Sequence, residues 1–281
     1  MNHKHEKNIL IAFILNISFS IFELIGGFLT SSVAIISDSI HDAGDALTIA
    51  VSYFLERKSN KKSDNNYTFG YRRYSVIGAF ITTTILLIGS ALVIYNSCIR
   101  LFNPVRIDYN GMIIIAIIGF LVNFLAAYFT KESHSLNTKS VNLHMLEDVL
   151  GWIVVLIGSV IIKFTNIYYI DSIMSIGISI FLIIECIKNI KEILNPILEK
   201  TPKGIDIKEV ENKIKEIKEV KDVHHIHIWT LDGEKNYATM HIVTNKNVKE
   251  KVREKLKKYN IHNVTIETEK ENETCNHKEC E

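Results

Sequence analysis

Two short stretches of this chain place an imidazole and a carboxylate four residues apart inside apolar sequence. The first pair is His41 and Asp45, and the second pair is His144 and Asp148. On a helix, residues four apart project from one face about one turn from each other. Two such helices facing each other would supply two nitrogen and two oxygen donors. A tetrahedral set of this kind is suited to zinc.

The apolar surroundings of these pairs favour a shared metal site over two local contacts. An ionised carboxylate at the centre of a bilayer costs about 2.5 to 3.5 kcal/mol on insertion scales, so each aspartate needs a compensating partner. A single His-Asp pair could be a local cap or ion pair. Two pairs with the same spacing on separate apolar segments instead indicate one metal ion between them. Glu147 could compete with Asp148 as a ligand, but the matched spacing favours Asp148.

The composition divides the chain into two parts. Of its 281 residues, 47% are hydrophobic and 22% are charged, and the apolar residues are concentrated in the first two-thirds. The formal net charge of +1 reflects balanced signs, which argues against nucleic acid as a partner. Two of the four cysteines lie in apolar runs and two lie in a polar tail, so no disulfide scaffold is expected.

Six apolar segments are long enough to cross a lipid bilayer. In the second segment the polar residues recur at intervals of three and four, so they form a stripe along one face of a helix. This stripe must face protein or water, because lipid cannot satisfy polar groups. The loop 56–74 is rich in Lys and Arg, which predicts a cytoplasmic location for it and for both termini. We therefore expect a multi-pass protein, in the plasma membrane of a bacterium. The predicted spans are 9–30, 33–55, 75–95, 111–130, 141–164 and 170–188.

After the prolines at 196 and 202 the sequence changes to short amphipathic elements. The pattern predicts a helix over 206–220, strands over 223–230 and 237–243, a helix over 248–259 and a strand over 264–268. This order makes a small α+β domain with one open sheet face. The predicted organisation is a leader (1–8), a six-helix transmembrane domain (9–195), a cytoplasmic α+β domain (196–270) and a cysteine-containing tail (271–281).

Histidines cluster on the predicted strands of the C-terminal domain. Alternation places His225 and His227 on the face opposite the isoleucines of the same strand, and His241 on the next strand shares the uncovered face. Any one of them alone would be an ordinary surface residue, but their coincidence favours a metal site. His224, on the other side of the alternation, is interpreted as structural. Other residues that could line or reach the uncovered face are Trp229, His262 and Glu269.

Taken together, these features resemble the cation diffusion facilitator family, and in particular its zinc-exporting branch. The resemblance rests on the His-Asp pairs in the second and fifth predicted spans, followed by a cytoplasmic domain with His227-Ile-Trp229. It implies a homodimer and a ferredoxin-like, metallochaperone-like cytoplasmic domain. It also implies a transport site formed by four side chains: His41, Asp45, His144 and Asp148.

The same resemblance implies further metal sites, with zinc as a structural or regulatory ion. A cytoplasmic site would use His227, His241, His262 and Glu269. A tail site would join tail cysteines to ligands from the leader, although the cysteine spacing here is wider than C-x-x-C. Its candidate ligands are Cys275, Cys280, His277, His3 and His5.

The expected function is export of zinc from the cytosol in exchange for protons, with cadmium or cobalt as minor cargo. Protons taken up by imidazoles, whose reference pKa is about 6.5, and by carboxylates would weaken metal binding on the proton-rich side. An intramembrane zinc metalloprotease is one alternative, because a zinc ion beside an acidic residue can activate water. The chain has no H-E-x-x-H and its four ligands leave no open position, so we expect no enzymatic activity. A membrane metal sensor without transport is the other alternative.

Overall fold

In the computed structural model of the chain, six long helices precede a small unit of helices and strands. The structure describes residues 2–30, 33–102, 109–131, 136–165, 169–271 and 273. Inside these ranges the side chains of several residues, His41 and His262 among them, are outside the described set.

All six apolar segments form helices, and each helix extends beyond its predicted segment. The first helix begins within the predicted leader, and the sixth continues through Pro196 to Ile197. Pro196 therefore lies in the last turn of a helix and not in a linker. The six helices are α1 (Asn2–Thr30), α2 (Val33–Ser59), α3 (Arg73–Phe102), α4 (Tyr109–Lys131), α5 (Leu136–Thr165) and α6 (Tyr169–Ile197).

The outer surface of these helices is apolar. Large side chains such as Phe22, Ile85 and Phe181 are between 43% and 52% exposed, whereas many polar side chains of the same helices are buried. Such an inverted distribution suits a lipid environment. Among the described residues, the segments Lys7–Ile25 and Arg73–Ile99 are long and apolar enough to cross a membrane.

Helix α5 is held in place by close packing against α1 and α4. Trp152 of α5 meets the ring of Phe19 of α1 edge-on, with the ring centroids 5.6 Å apart. The same indole lies so close to Gly119 of α4 that a Cβ atom at this position would clash with it. Met145 of α5 is fully buried in the core shared by these helices. This packing fixes the helix that carries His144 and Asp148.

The chain divides into two units, Met1–Ile193 and Leu194–Glu281. The order of elements in the second unit agrees with the predicted helix, strand, strand, helix, strand. In its sheet, the second strand lies between the other two, antiparallel to the first and parallel to the third. The elements are α7 (Ile207–Lys215), β1 (Asp222–Thr230), β2 (Asn236–Val243), α8 (Lys249–Lys257) and β3 (Ile261–Glu269).

The helices α7 and α8 cover one face of this sheet. Ile214 and Leu256 from the two helices pack with Ile228, Met240 and Ile242 from the strands in one buried cluster. Alternation along β2 directs the neighbouring residues to the other face of the sheet. The core of the unit is therefore one-sided, and the histidines of β1 and β2 are left on the opposite face.

A β-bulge interrupts the alternation of β1. His224 pairs with His241 and His227 pairs with Thr239, so His225 and Ile226 together oppose the single residue between these partners. His225 has a left-handed backbone with φ 51°. Strict alternation, which separated His224 from His227, is wrong at this point because the extra residue resets the period. His224 and His227 share one face.

Candidate metal site

Helices α2 and α5 bring Asp45, His144 and Asp148 together. One donor atom from each residue lies within 4.8 Å of the other two. The Nε2 atom of His144 is 3.7 Å from Oδ1 of Asp45, and the histidine is only 5% exposed. The two residues from α5 lie one turn apart on one face, as their spacing predicts, and α2 contributes the carboxylate that faces them.

Among the side chains that the structure describes, two donor atoms of this group are buried without a hydrogen-bond partner. They are Nε2 of His144 and Oδ2 of Asp148. Buried polar atoms in proteins are nearly always paired, because leaving them unpaired costs free energy. A divalent cation coordinated by all three side chains would satisfy both atoms and compensate the two carboxylates. The arrangement is therefore suited to binding a metal ion.

Glu147 lies on the other side of the His144 ring. Its Oε2 atom is 3.9 Å from Nδ1 of His144, and its Oε1 atom accepts a hydrogen bond of 3.3 Å from Ser90 of α3. Glu147 thus contacts the His144 ring on its own helix and Ser90 on α3, and it is not one of the three members of the group. His41, the fourth predicted ligand, lies one turn before Asp45 on α2, and its side chain is outside the described residues.

A second group of donors lies on the uncovered face of the sheet in the C-terminal unit. Donor atoms of His224, His241 and Glu269 are all within 4.8 Å of one another. Oε1 of Glu269 is 2.6 Å from Nδ1 of His241, and its Oε2 is 3.3 Å from Nε2 of His224. The carboxylate thus lies between two imidazoles from adjacent strands. A metal ion could bind to the same three side chains in place of these direct contacts.

The carboxylate of Asp222 lies near the ring of His224. Its Oδ2 atom is 3.7 Å from Nδ1 of His224. A hydrogen bond from Lys215 lowers the pKa of Asp222 below its ordinary value, so its carboxylate is charged at neutral pH. A carboxylate beside Nδ1 favours the proton on that nitrogen and leaves Nε2 to bind a metal.

Of the other two predicted ligands in this unit, only His227 has a described side chain. His227 lies on the same face, but its ring packs edge-on against His225 at 4.5 Å and it does not belong to the three-residue group. His262 lies in β3 with its side chain outside the described residues. The pattern missed His224, because a bulge leaves no clear signal in the sequence.

The predicted tail site falls outside what the structure describes. Cys275, His277 and Cys280 are outside the described residues, and the side chains of His3 and His5 in α1 are outside them as well. The tail site remains a prediction.

Comparison with known families assigns both units. Residues 9–198 match the family model described as the cation efflux transmembrane domain. Residues 202–271 match the model described as the cation efflux protein, cytoplasmic domain. The two matches together cover nearly the whole chain.

Individual relatives are bacterial metal transporters. The chain is 30% identical to the cadmium, cobalt and zinc/H(+)-K(+) antiporter of Bacillus subtilis, over 96% of this chain and 93% of the relative. It is 32% identical to the metal cation efflux system protein CzcD of Cupriavidus metallidurans, over 95% of this chain and 89% of the relative. It is 28% identical to the zinc transporter ZitB of Escherichia coli, over 85% of this chain and 77% of the relative.

Proposed function

Because the chain belongs to the cation efflux family of membrane metal transporters, we propose that it exports zinc from the cytosol through the site formed by Asp45, His144 and Asp148. The observation that carries the proposal is the buried meeting of these three side chains between α2 and α5. We add His41 to this site because it precedes Asp45 by four residues in the sequence; with it the proposed set would have two nitrogens and two oxygens. In this role the metal ion is the cargo, and the site has no bond-breaking chemistry to perform.

The proposed cycle exchanges metal for protons. The name of the Bacillus subtilis relative describes an antiporter that exchanges cadmium, cobalt and zinc for protons and potassium. Metal ions and protons compete for the same lone pairs on His144 and the two aspartates. When the site opens to the proton-rich side, protonation displaces the metal, and when it opens to the cytosol the deprotonated ligands bind the next ion.

The mixed nitrogen and oxygen donors favour zinc over other cargo. Manganese and magnesium prefer sites made of oxygen alone, whereas imidazole suits zinc and its neighbours in the first transition series. Cadmium and cobalt, which the names of the relatives include, are the expected minor cargo.

The second unit is proposed to sense cytosolic zinc and to join two protomers. The match of residues 202–271 to the cytoplasmic domain of the family supports this role, as does the group of His224, His241 and Glu269 on the uncovered sheet face. Zinc would bind there as a structural and regulatory ion. In this proposal all six helices cross the membrane, both termini lie in the cytoplasm, and the second unit has the ferredoxin-like topology.

Transport into proteoliposomes tests the proposal. Vesicles that contain the protein and a trapped zinc indicator should take up zinc when a pH gradient is imposed, and Asp148→Asn should abolish this uptake. Asp206→Asn is the matched control, because Asp206 caps α7 through its side-chain oxygen and asparagine caps equally well. Undiminished uptake by Asp148→Asn would refute the site. Zinc binding without any uptake by the native protein would indicate a sensor.

A further inference from the structure

A buried amide in α5 joins this helix directly to α2. The Nδ2 atom of Asn137 donates hydrogen bonds to the backbone carbonyl of Ser52 at 2.8 Å and to Oε2 of Glu56 at 3.2 Å. Asn137 is 0% exposed, and Glu56 is 3% exposed. Both acceptors belong to α2 and lie one turn apart. One side chain of α5 therefore spans two successive turns of α2.

This contact is in register with the metal site. Asn137 precedes His144 by seven residues, and Ser52 follows Asp45 by seven residues. Seven residues make about two helical turns, so each pair lies on one face of its helix. The hydrogen bond from Asn137 to Ser52 and the 3.7 Å approach of His144 to Asp45 therefore join the same faces of α5 and α2, two turns apart. The two ligand-bearing helices are linked at both levels.

Helix α3 confines the amide from the third side. A Cβ atom on Gly78 would lie 2.6 Å from Oδ1 of Asn137, so this position accommodates the amide only because it is glycine. Ser75, one turn earlier on α3, donates a hydrogen bond of 2.7 Å to the same Glu56 oxygen that accepts from Asn137. Hydrogen bonds from the amide nitrogen to α2 and the close approach of α3 thus surround this side chain, whose Oδ1 atom has no hydrogen-bond partner among the described residues.

We propose that Asn137 is a positioning residue of the metal site, which sets the separation and rotation of α2 and α5 and so the affinity for metal. This inference rests on the proposed function. Zinc requires ligand distances near 2.0 to 2.2 Å, so small shifts between the two helices change how well Asp45 and His144 meet one ion. Groups that orient metal ligands without touching the metal typically contribute about 10- to 100-fold to affinity.

The test compares zinc affinity among variants of the full chain. All carry His241→Ala, which removes the second group of donors, and zinc is titrated calorimetrically into the protein in detergent. We expect Asn137→Ala to raise the Kd about 10-fold or more, and Gly78→Ala, which displaces the amide by crowding, to act in the same direction. The visible spectrum of bound cobalt should change in both variants, because it reports the geometry of the ligands.

Asn123→Ala is the matched control. Asn123 is also buried, at 2% exposure, but the hydrogen bond that its amide donates within the described residues is to the carbonyl of Gly119 in its own helix. This variant should keep the Kd within about two-fold and the cobalt spectrum unchanged. If Asn137→Ala does not fold, Gly78→Ala decides the question, because it retains the amide.

The outcomes separate this inference from the proposed function. Native affinity and spectrum in Asn137→Ala would overturn the positioning role, as would native values in Gly78→Ala or an equal loss of affinity in Asn123→Ala. If Asp148→Asn in the same background bound zinc as tightly as its parent, the proposed site itself would fail.

Discussion

At the scale of single residues, the two nitrogens of His144 have different surroundings. Nε2 faces Asp45 and has no hydrogen-bond partner within the described part of the chain, whereas Nδ1 faces Glu147. A carboxylate beside Nδ1 holds the proton on that nitrogen and leaves Nε2 for the metal. In the proposed site the three acidic residues around this ring would therefore have two roles: Asp45 and Asp148 would bind the ion, and Glu147 would orient the imidazole.

The two roles predict different sensitivities to substitution. Glu147→Gln keeps an oxygen at only one of the two positions that face Ser90 and the His144 ring, but it removes no proposed ligand, so zinc affinity should fall by only about ten-fold. Asp148→Asn removes a ligand charge and should eliminate binding at this site. Titration calorimetry on the full chain measures both, and a larger loss in Glu147→Gln than in Asp148→Asn would show that the glutamate is the ligand.

A second prediction concerns the imidazoles of the C-terminal unit. His224 and His241 meet the same carboxylate, whereas His227 lies against His225. His224→Ala and His241→Ala should therefore each remove the zinc bound by this unit, and His227→Ala should weaken it by less than either. Equilibrium dialysis with zinc counts the ions retained. The opposite order would favour the ligand set that the family resemblance implies.

At the scale of elements, the basic loop between α2 and α3 is an ordered structure. Oδ1 of Asp64 accepts from the backbone N–H groups of Asn66 and Tyr67 at 3.0 and 2.9 Å, and Oδ2 accepts from the hydroxyl of Tyr71 at 2.6 Å. Gly70 adopts φ 81°, which glycine alone adopts without strain. A single carboxylate thus organises this loop. From the sequence alone, only the positive charge of the loop was evident.

The loop should lose its order when Asp64 is replaced or protonated. The bond from Tyr71, with help from the backbone N–H of Tyr67, lowers the pKa of Asp64 to about 2. A depressed pKa stabilises the folded loop above the unfolded value of about 3.9, and this stabilisation is lost as the pH falls from about 4 toward 2. Asp64→Ala should show the same loss at neutral pH.

Limited trypsin digestion measures the effect of Asp64→Ala through cleavage after Lys61 and Lys62. Asp232→Ala is the control, since Asp232 organises a turn in the other unit through the same kind of backbone bonds. Equal cleavage of the native protein and Asp64→Ala would show that the carboxylate does not hold the loop. The pH dependence is followed separately by amide exchange of the native protein.

Local sequence patterns were sufficient for the elements but not for their contacts. Apolar runs predicted all six long helices, and alternation with turn residues predicted the three strands in order. The hydrogen bonds that join α5 to α2 were not predictable, because Asn137 donates them to Ser52 and Glu56, which are distant in sequence. His224 was misplaced because the left-handed backbone at His225 is uncommon for any residue other than glycine, and alternation of residue types does not reveal it.

At the scale of the whole molecule, the described residues of each unit contain one candidate group of metal donors. Because no donor belongs to both groups, the two should titrate independently. We expect Asp148→Asn to remove one class of zinc sites from the full chain and Glu269→Gln to remove the other. The double variant should lose both classes, so that the number of zinc ions bound per chain, measured by calorimetry, falls by the sum of the two single losses. Loss of both classes in either single variant would contradict this independence.

The bulge in β1 gives this strand an unusual tolerance to a change in length. Elsewhere in a strand, deleting one residue exchanges the buried and solvent-facing sides of everything beyond it. Here His225 is the surplus residue, and without it Ile226 would stand alone opposite Met240. His224 and His227 would keep their partners and their side of the sheet. A chain shortened by one residue at this point would thus preserve the arrangement of its imidazoles in a regular, flatter strand.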